Sequence, residues 1–365
     1  MLALPSRPNE GEDLTMAVLG CGNMGIAILS GILSSISALS GPKPLQTDPS
    51  QPAEEIPSRL PTKFIACVRR PESAKKVKKA LWQHTSFVKV VQNENVAAVS
   101  RSDVVLLSCK PSHIQSILAQ PGMAEAMEGK LLISIAAGVT VEHIRATLHE
   151  AAVAAAKGDV NGAGGDCDCR IVRALPNTAS LIREGMTVIA DSEPALPPQT
   201  NALVTWIFRR IGDVVVSLAL GSLLIAAWKS YRTPLAYRMT QYLPTHQMDA
   251  STALIGSGPA FFSLVLEAAI DGAVAMGLPR AHATRMAAQS MHGTASLVLD
   301  GEHPALLRDK VSTPGGCTIG GLLVLEEGGV RGTVSRAVRE AACVAAELGR
   351  GKGAGVNGTR FVGRP

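Results

Sequence analysis

The feature that most narrows what this chain can fold into is a glycine-spaced turn, Gly20-Cys21-Gly22-Asn23-Met24-Gly25, directly behind the apolar run Met16-Ala17-Val18-Leu19. A short apolar strand that enters G-x-G-x-x-G and then a helix is the opening of a βαβ unit. The pattern alone is weak; its context gives each glycine a task. Gly20 permits the tight turn, Gly22 lets the backbone approach a pyrophosphate, and Gly25 lets helix and strand pack closely. The helix that follows offers N–H groups and the positive end of its dipole. Gly20, Cys21, Gly22, Asn23, Met24 and Gly25 are therefore the expected cofactor-binding turn, with a purely structural turn as the competing reading.

Further apolar runs follow at βα spacing. Phe64 to Val68, Val88 to Val91, Asp103 to Cys109, Lys130 to Ile135 and Cys169 to Leu175 read as strands, and helical stretches separate them. Strand alternating with helix predicts a parallel doubly wound sheet. After about residue 250 the pattern becomes helical, with Pro259 and Gly277 at the start and end of one helix. The expected architecture is α/β: an N-terminal Rossmann-type sheet followed by an all-helical C-terminal domain.

The end of the second strand refines the cofactor. NAD enzymes usually place Asp or Glu there to hold the ribose 2′-OH, whereas this chain has Arg69 and Arg70. Guanidinium groups suit a 2′-phosphate, so NADPH is expected, with NADH as the alternative. Lys110 closes another strand on the edge where open α/β sheets bind ligands.

Composition excludes other classes. A 46% hydrophobic and 18% charged chain is folded, and a net charge of +5 without a basic run interleaved with aromatics gives no support to nucleic-acid binding. Seven scattered cysteines predict reduced thiols and not a disulfide frame. Cys167-x-Cys169 and the eight histidines have no metal-ligand spacing, so no metal is expected. Residues 1–15 have neither a signal-peptide core nor an import helix, and Leu218 to Trp228 is about half of the ~20 residues a membrane span needs. A cytoplasmic protein without a membrane partner is expected.

Several ordered motifs resemble those of the pyrroline-5-carboxylate reductase family, in its fungal form. They are Cys109-Lys110-Pro111, the run Ile133 to Thr140 containing Ala136 and Ala137, Leu175-Pro176-Asn177-Thr178 followed by Arg183-Glu184-Gly185, Asp249 to Phe261, and Asp309 to Thr318. The resemblance spans about residues 16–348. It implies hydride transfer from NAD(P)H to the C=N carbon of 1-pyrroline-5-carboxylate, giving L-proline. It also implies a C-terminal domain that interlocks with a second subunit, active sites at the dimer interface, and a dimer or higher homo-oligomer.

By the same resemblance Thr252 is the catalytic candidate, hydrogen bonding the ring nitrogen. Glu184, Ser257, Gly258, Gly315, Gly316, Cys317 and Thr318 are expected at the substrate. Cys109, Lys110, Pro111, Ala136, Ala137 and Asn177 join the cofactor set. Cys317 stands where many members have Thr, so a backbone role is expected there. An iminium substrate needs chiefly to be held in place, so the lack of a His/Asp pair is no obstacle.

The rival readings are another imine reductase, a β-hydroxyacid dehydrogenase, and a catalytically silent NADP-binding sensor. The dehydrogenase would need a Lys and Asn pair on a C-terminal helix, which is not found after residue 250. The sensor would not need Thr252 or Gly315-Gly316.

The expected boundaries are a disordered 1–15, a cofactor domain over 16–212 with insertions at 34–62 and 156–168, a helical domain over 248–350 and a flexible tail over 351–365. The stretch from Ser217 to about Thr240 has no family counterpart, and a family-like run resumes at Tyr242-Leu243-Pro244. Residues 213–247 therefore read as an atypical linker: a translated intron, or a genuine surface loop or extra helix.

Overall fold

The computed structural model describes residues 13–39, 57–156, 167–192, 194–216, 244 and 247–349. The chain divides into two compact units. One holds the described residues up to Val216 together with Pro244, Gln247, Met248 and the stretch from Ala345, and the other spans Asp249–Val344.

The first unit is built on eight strands: β1 (Leu14–Leu19), β2 (Pro61–Val68), β3 (Val88–Gln92), β4 (Val104–Leu107), β5 (Leu131–Ser134), β6 (Arg170–Pro176), β7 (Gly185–Ile189) and β8 (Gly212–Val216). They form one sheet in the order β3-β2-β1-β4-β5-β6-β7-β8. The first six are parallel, β7 runs antiparallel to β6, and β8 pairs parallel with β7. The strand order reverses between β1 and β4, and that switch point is where open α/β sheets bind ligands.

Each face of the sheet has its own core. Met16 and Val18 of β1 join Ile28, Leu29 and Ile32 of α1 (Asn23–Leu39) and Trp206 and Phe208 of α7 (Pro198–Arg209). Ala17 and Leu19 face the other way, against Ile114 and Leu118 of α4 (Ile114–Leu118) and Ile144 and Leu148 of α6 (Val141–Ala156). Burial on both faces explains why β4 and β5 are continuous apolar runs and do not alternate.

Four expectations are corrected. The expected insertion at 34–62 is shorter, because α1 continues to Leu39 and β2 begins at Pro61. Ile36 packs on the core, and Ser37 turns its hydroxyl back to Leu33 O (2.9 Å), so the serine-rich stretch stays helical. Residues 213–216 belong to the sheet as β8, where three successive valines pair with β7. Any inserted linker therefore begins no earlier than residue 217, and the suspected intron lies outside the described residues but for Pro244 and Gln247. Three short elements were not foreseen: β7, α3 (Asn95–Ser100) and α5 (Met123–Met127). The expected disorder over 1–15 is also too long, because Leu14 and Thr15 already pair in the sheet as the start of β1. Residues 1–12, residues 157–166 of the expected insertion at 156–168, and the tail 351–365 lie outside the described residues.

The second unit is helical. It contains most of α8 (Met248–Ala275), then α9 (Arg280–Leu299), α10 (Pro304–Lys310), α11 (Cys317–Glu327) and most of α12 (Val330–Gly349). As expected, Pro259 stands in the first turn of a regular helical stretch, Gly258–Ala275. Ahead of it, Thr252–Ser257 forms a π turn that joins this stretch to Met248–Ser251. By length and composition α8 could cross a membrane. Large apolar side chains stay exposed on several of these helices, among them Phe262 and Leu264 of α8, Met286 and Leu297 of α9, and Leu323 and Val324 of α11. Exposed apolar side chains in such number mark an interface.

Candidate active site

The glycine turn lies at the carboxyl end of β1. Gly20 has φ +76, and a Cβ there would sit 2.5 Å from the Cys109 Cβ. At Gly25 a Cβ would lie 2.9 Å from Ser108 Oγ and 3.1 Å from Val18 Cγ1, so this glycine seats α1 against the sheet. Gly22 differs. It is exposed, and a Cβ there would meet nothing nearer than Gly20 O at 3.8 Å. Two glycines therefore serve packing, and the third leaves an open face.

Hydrogen bonds fix the loop from beneath. Gly20 and Cys21 donate their N–H groups to Cys67 O (3.2 and 3.0 Å), and Gly22 N–H donates to Gly20 O (2.7 Å). Ser108 Oγ donates to Gly20 O at 3.1 Å. The donors that helix geometry leaves for an anion are thus the first-turn N–H groups of Asn23, Met24 and Gly25. Cys21 is buried with its thiol pushed up to about 12 by burial, which limits it to a backbone role.

The other residues expected at the cofactor lie on the same edge of the sheet. Arg69 and Arg70 follow β2 directly, and both are exposed. Cys109, Lys110 and Pro111 follow β4; Cys109 is half-buried, its thiol pushed up to about 11 by burial, and Lys110 is exposed. Ala136 and Ala137 follow β5, with Ala136 buried and Ala137 exposed. Asn177 caps β6, and its Oδ1 accepts from Met186 N–H at 3.2 Å, tying β6 to β7. Glu184 is exposed beside Arg183, which has the unusual φ of +64 and donates to Ser34 Oγ at 2.7 Å. One residue was not anticipated: Lys76 of α2 (Pro71–Ala80) donates through Nζ to Asn23 Oδ1 at 2.6 Å. A contact across 53 positions leaves no local signal.

The second unit holds the remaining residues. Thr252 and Ser257 begin and end the π turn, and the buried Gly258 follows it. At the start of α11, Gly315 has φ +69, and a Cβ on Gly316 would overlap Thr313 Oγ1. Gly316 N–H is engaged by Thr313 O (3.0 Å), so this turn presents the N–H groups of Cys317 and Thr318 to an anion, not that of Gly316. Among the described residues no three His, Cys, Asp or Glu side chains converge as metal ligands.

Fold and turn define a class, the Rossmann-type NADP-linked oxidoreductases. A family described as "NADP oxidoreductase coenzyme F420-dependent" matches residues 15–138, and "Pyrroline-5-carboxylate reductase dimerisation" matches residues 245–348. The chain is 57% identical to a pyrroline-5-carboxylate reductase of Lophium arboricola, over 98% of this chain and 100% of that one. It is 51% identical to one from Neurospora crassa, over 96% and 98%. A Plasmodium falciparum pyrroline carboxylate reductase solved with NADP bound shares the fold, with TM-score 0.63, 21% identity and coverage of 93% of this chain and 99% of that one. This chain belongs to the pyrroline-5-carboxylate reductase family.

Proposed function

We propose that this chain reduces 1-pyrroline-5-carboxylate to L-proline with NADPH, as a homodimer or larger homo-oligomer. The observation that carries the cofactor is the open face of Gly22, an exposed glycine where a Cβ would occupy space next to unpaired helix N–H groups. A pyrophosphate fits such a cradle. When bound, the nicotinamide supplies the hydride that reduces the C=N bond.

The residues hold and orient. Asn23, Met24 and Gly25 would take the pyrophosphate through backbone N–H groups, with Gly20, Cys21 and Gly22 shaping the turn. Arg69 and Arg70 would take the 2′-phosphate, for which forked, permanently charged donors are suited. Cys109, Lys110, Pro111, Ala136, Ala137 and Asn177, at the ends of β4, β5 and β6, would border the nicotinamide half. For the substrate, Thr252 would present its hydroxyl to the ring nitrogen. Cys317 and Thr318 would offer N–H groups at the positive end of α11 to the carboxylate, on a turn shaped by Gly315 and Gly316. Ser257, Gly258 and Glu184 complete the proposed substrate set. Since the iminium is already electrophilic, fixing it in place accounts for most of the rate, and no strong general acid is required.

We assign cofactor binding to residues 16–216 and substrate binding with dimerisation to 248–349. The seven free thiols support a reducing compartment, and we place the protein in the cytosol. The reaction is tested with nicotinamide-deuterated NADPH. Deuterium at the ring carbon of the former C=N bond is expected in the product proline, and unlabelled proline would contradict direct transfer. Fractionation of the tagged full-length chain tests the compartment, with mitochondrial recovery as the contrary result.

A further inference from the structure

Four lysines line α2, at Lys75, Lys76, Lys78 and Lys79, and all are exposed. Lys78 and Lys79 occupy the last turn, where cations complement the helix dipole. Lys76 is placed differently. Its Nζ reaches out of α2 to Asn23 Oδ1 at 2.6 Å, at the first residue of α1. A cation there faces the positive end of another helix, where the dipole opposes it. No carboxylate pairs with Lys76 among the described residues. Arg69 and Arg70, just ahead of α2, add two more exposed cations on the same sheet edge, with no carboxylate partner among the described residues. Positive charge gathered where a helix dipole already repels it makes sense if an anion completes the group.

We propose that Lys76 is a positioning residue for the cofactor, pairing with the pyrophosphate rather than with the 2′-phosphate. The placement decides between the two phosphates. Lys76 touches Asn23, a residue of the pyrophosphate turn, whereas Arg69 and Arg70 stand at the end of β2. On cofactor binding the ammonium exchanges its bond to the neutral Asn23 amide for one to an anionic oxygen, which is the stronger partner. Lys76 thereby sets affinity for both nicotinamide nucleotides, and the two arginines set the choice between them. This deepens the NADPH reading above and rests on it.

The test titrates NADPH and NADH against the full-length chain, following the fluorescence of the reduced nicotinamide, in wild type, Lys76→Met and Lys76→Arg. Loss of one charge-assisted bond should weaken both nucleotides by about tenfold in Lys76→Met, leaving the NADPH to NADH ratio unchanged. KM for the cofactor rises while kcat at saturating cofactor stays the same, and Lys76→Arg restores most of the affinity. Unchanged affinity for both nucleotides in Lys76→Met would overturn the proposal, leaving Lys76 an ordinary solvated charge. A loss confined to NADPH would also overturn it and move Lys76 to the 2′-phosphate set. A wild-type chain that binds neither nucleotide would sink the reading of the turn itself, a result distinct from either.

Discussion

Gly20 and Cys109 meet where β1 and β4 end, so closely that a Cβ on Gly20 would stand 2.5 Å from the Cys109 Cβ. The contact joins the two strands that flank the switch point of the sheet. Behind it, Ser108 Oγ donates to Gly20 O, so the turn is held both sterically and by a hydrogen bond. Gly22, two residues further, has no such neighbour. Two glycines of one motif should therefore fail differently.

Gly20→Ala forces a side chain into a left-handed backbone and into Cys109. It should cost roughly 2–4 kcal/mol of stability, combining the conformational and overpacking penalties. Gly22→Ala should leave the melting temperature nearly unchanged and weaken NADPH binding by at least about tenfold, since its methyl group enters the cradle. Thermal melts beside cofactor titrations separate the two. Equal loss of stability in both variants would contradict this division.

Replacing Arg69 and Arg70 together by Ser should lower NADPH affinity by about tenfold or more and leave NADH affinity close to wild type. The ratio of kcat/KM for the two cofactors measures the effect. A parallel loss for both nucleotides would mean that these arginines do not read the 2′-phosphate.

Thr252→Val removes a hydroxyl while keeping the shape. It should lower kcat/KM for the imine by about ten- to a hundredfold without changing NADPH affinity, and Thr252→Ser should recover most of the activity. Steady-state kinetics of the three proteins test this. Full activity in Thr252→Val would remove Thr252 from the proposed site.

The thiols of Cys21 and Cys67 are pushed up to about 12 by burial, from an ordinary 9.0. A raised folded-state pKa means that the folded protein keeps a proton the unfolded chain gives up above pH 9. Stability contributed by these thiols is complete below about pH 9 and declines as pH rises toward 12. Urea midpoints should fall between pH 8 and pH 10.5, by less in a Cys67→Ala variant relative to its own pH 8 value. At pH 8 iodoacetamide should spare Cys21 and Cys67 in the native protein and label both in urea.

The parts of this fold that could be read from sequence are those with local causes. The glycine turn, the buried runs of β4 and β5 and the arginines after β2 each carry their reason within a few residues. β8 was hidden because Val214 to Val216 adjoin an unfamiliar segment, and only pairing with β7 identifies them as sheet. α3 and α5 have 6 and 5 residues, too few turns to show a helical period. The helix start at Pro259 was legible from its proline, but the π turn ahead of it that holds Thr252 has no sequence mark of its own. Lys76 is one of four lysines on α2, and nothing beside it in the sequence sets it apart. Its contact with Asn23 exists only once β1 and β2 are paired side by side.

The most direct test of the central claim is NADPH consumption by the purified full-length chain supplied with 1-pyrroline-5-carboxylate, with L-proline quantified in the same vessel. Equal amounts of NADPH consumed and proline formed, with slower turnover from NADH, are predicted. A chain that binds NADPH but leaves it unoxidised in the presence of the imine would contradict the account.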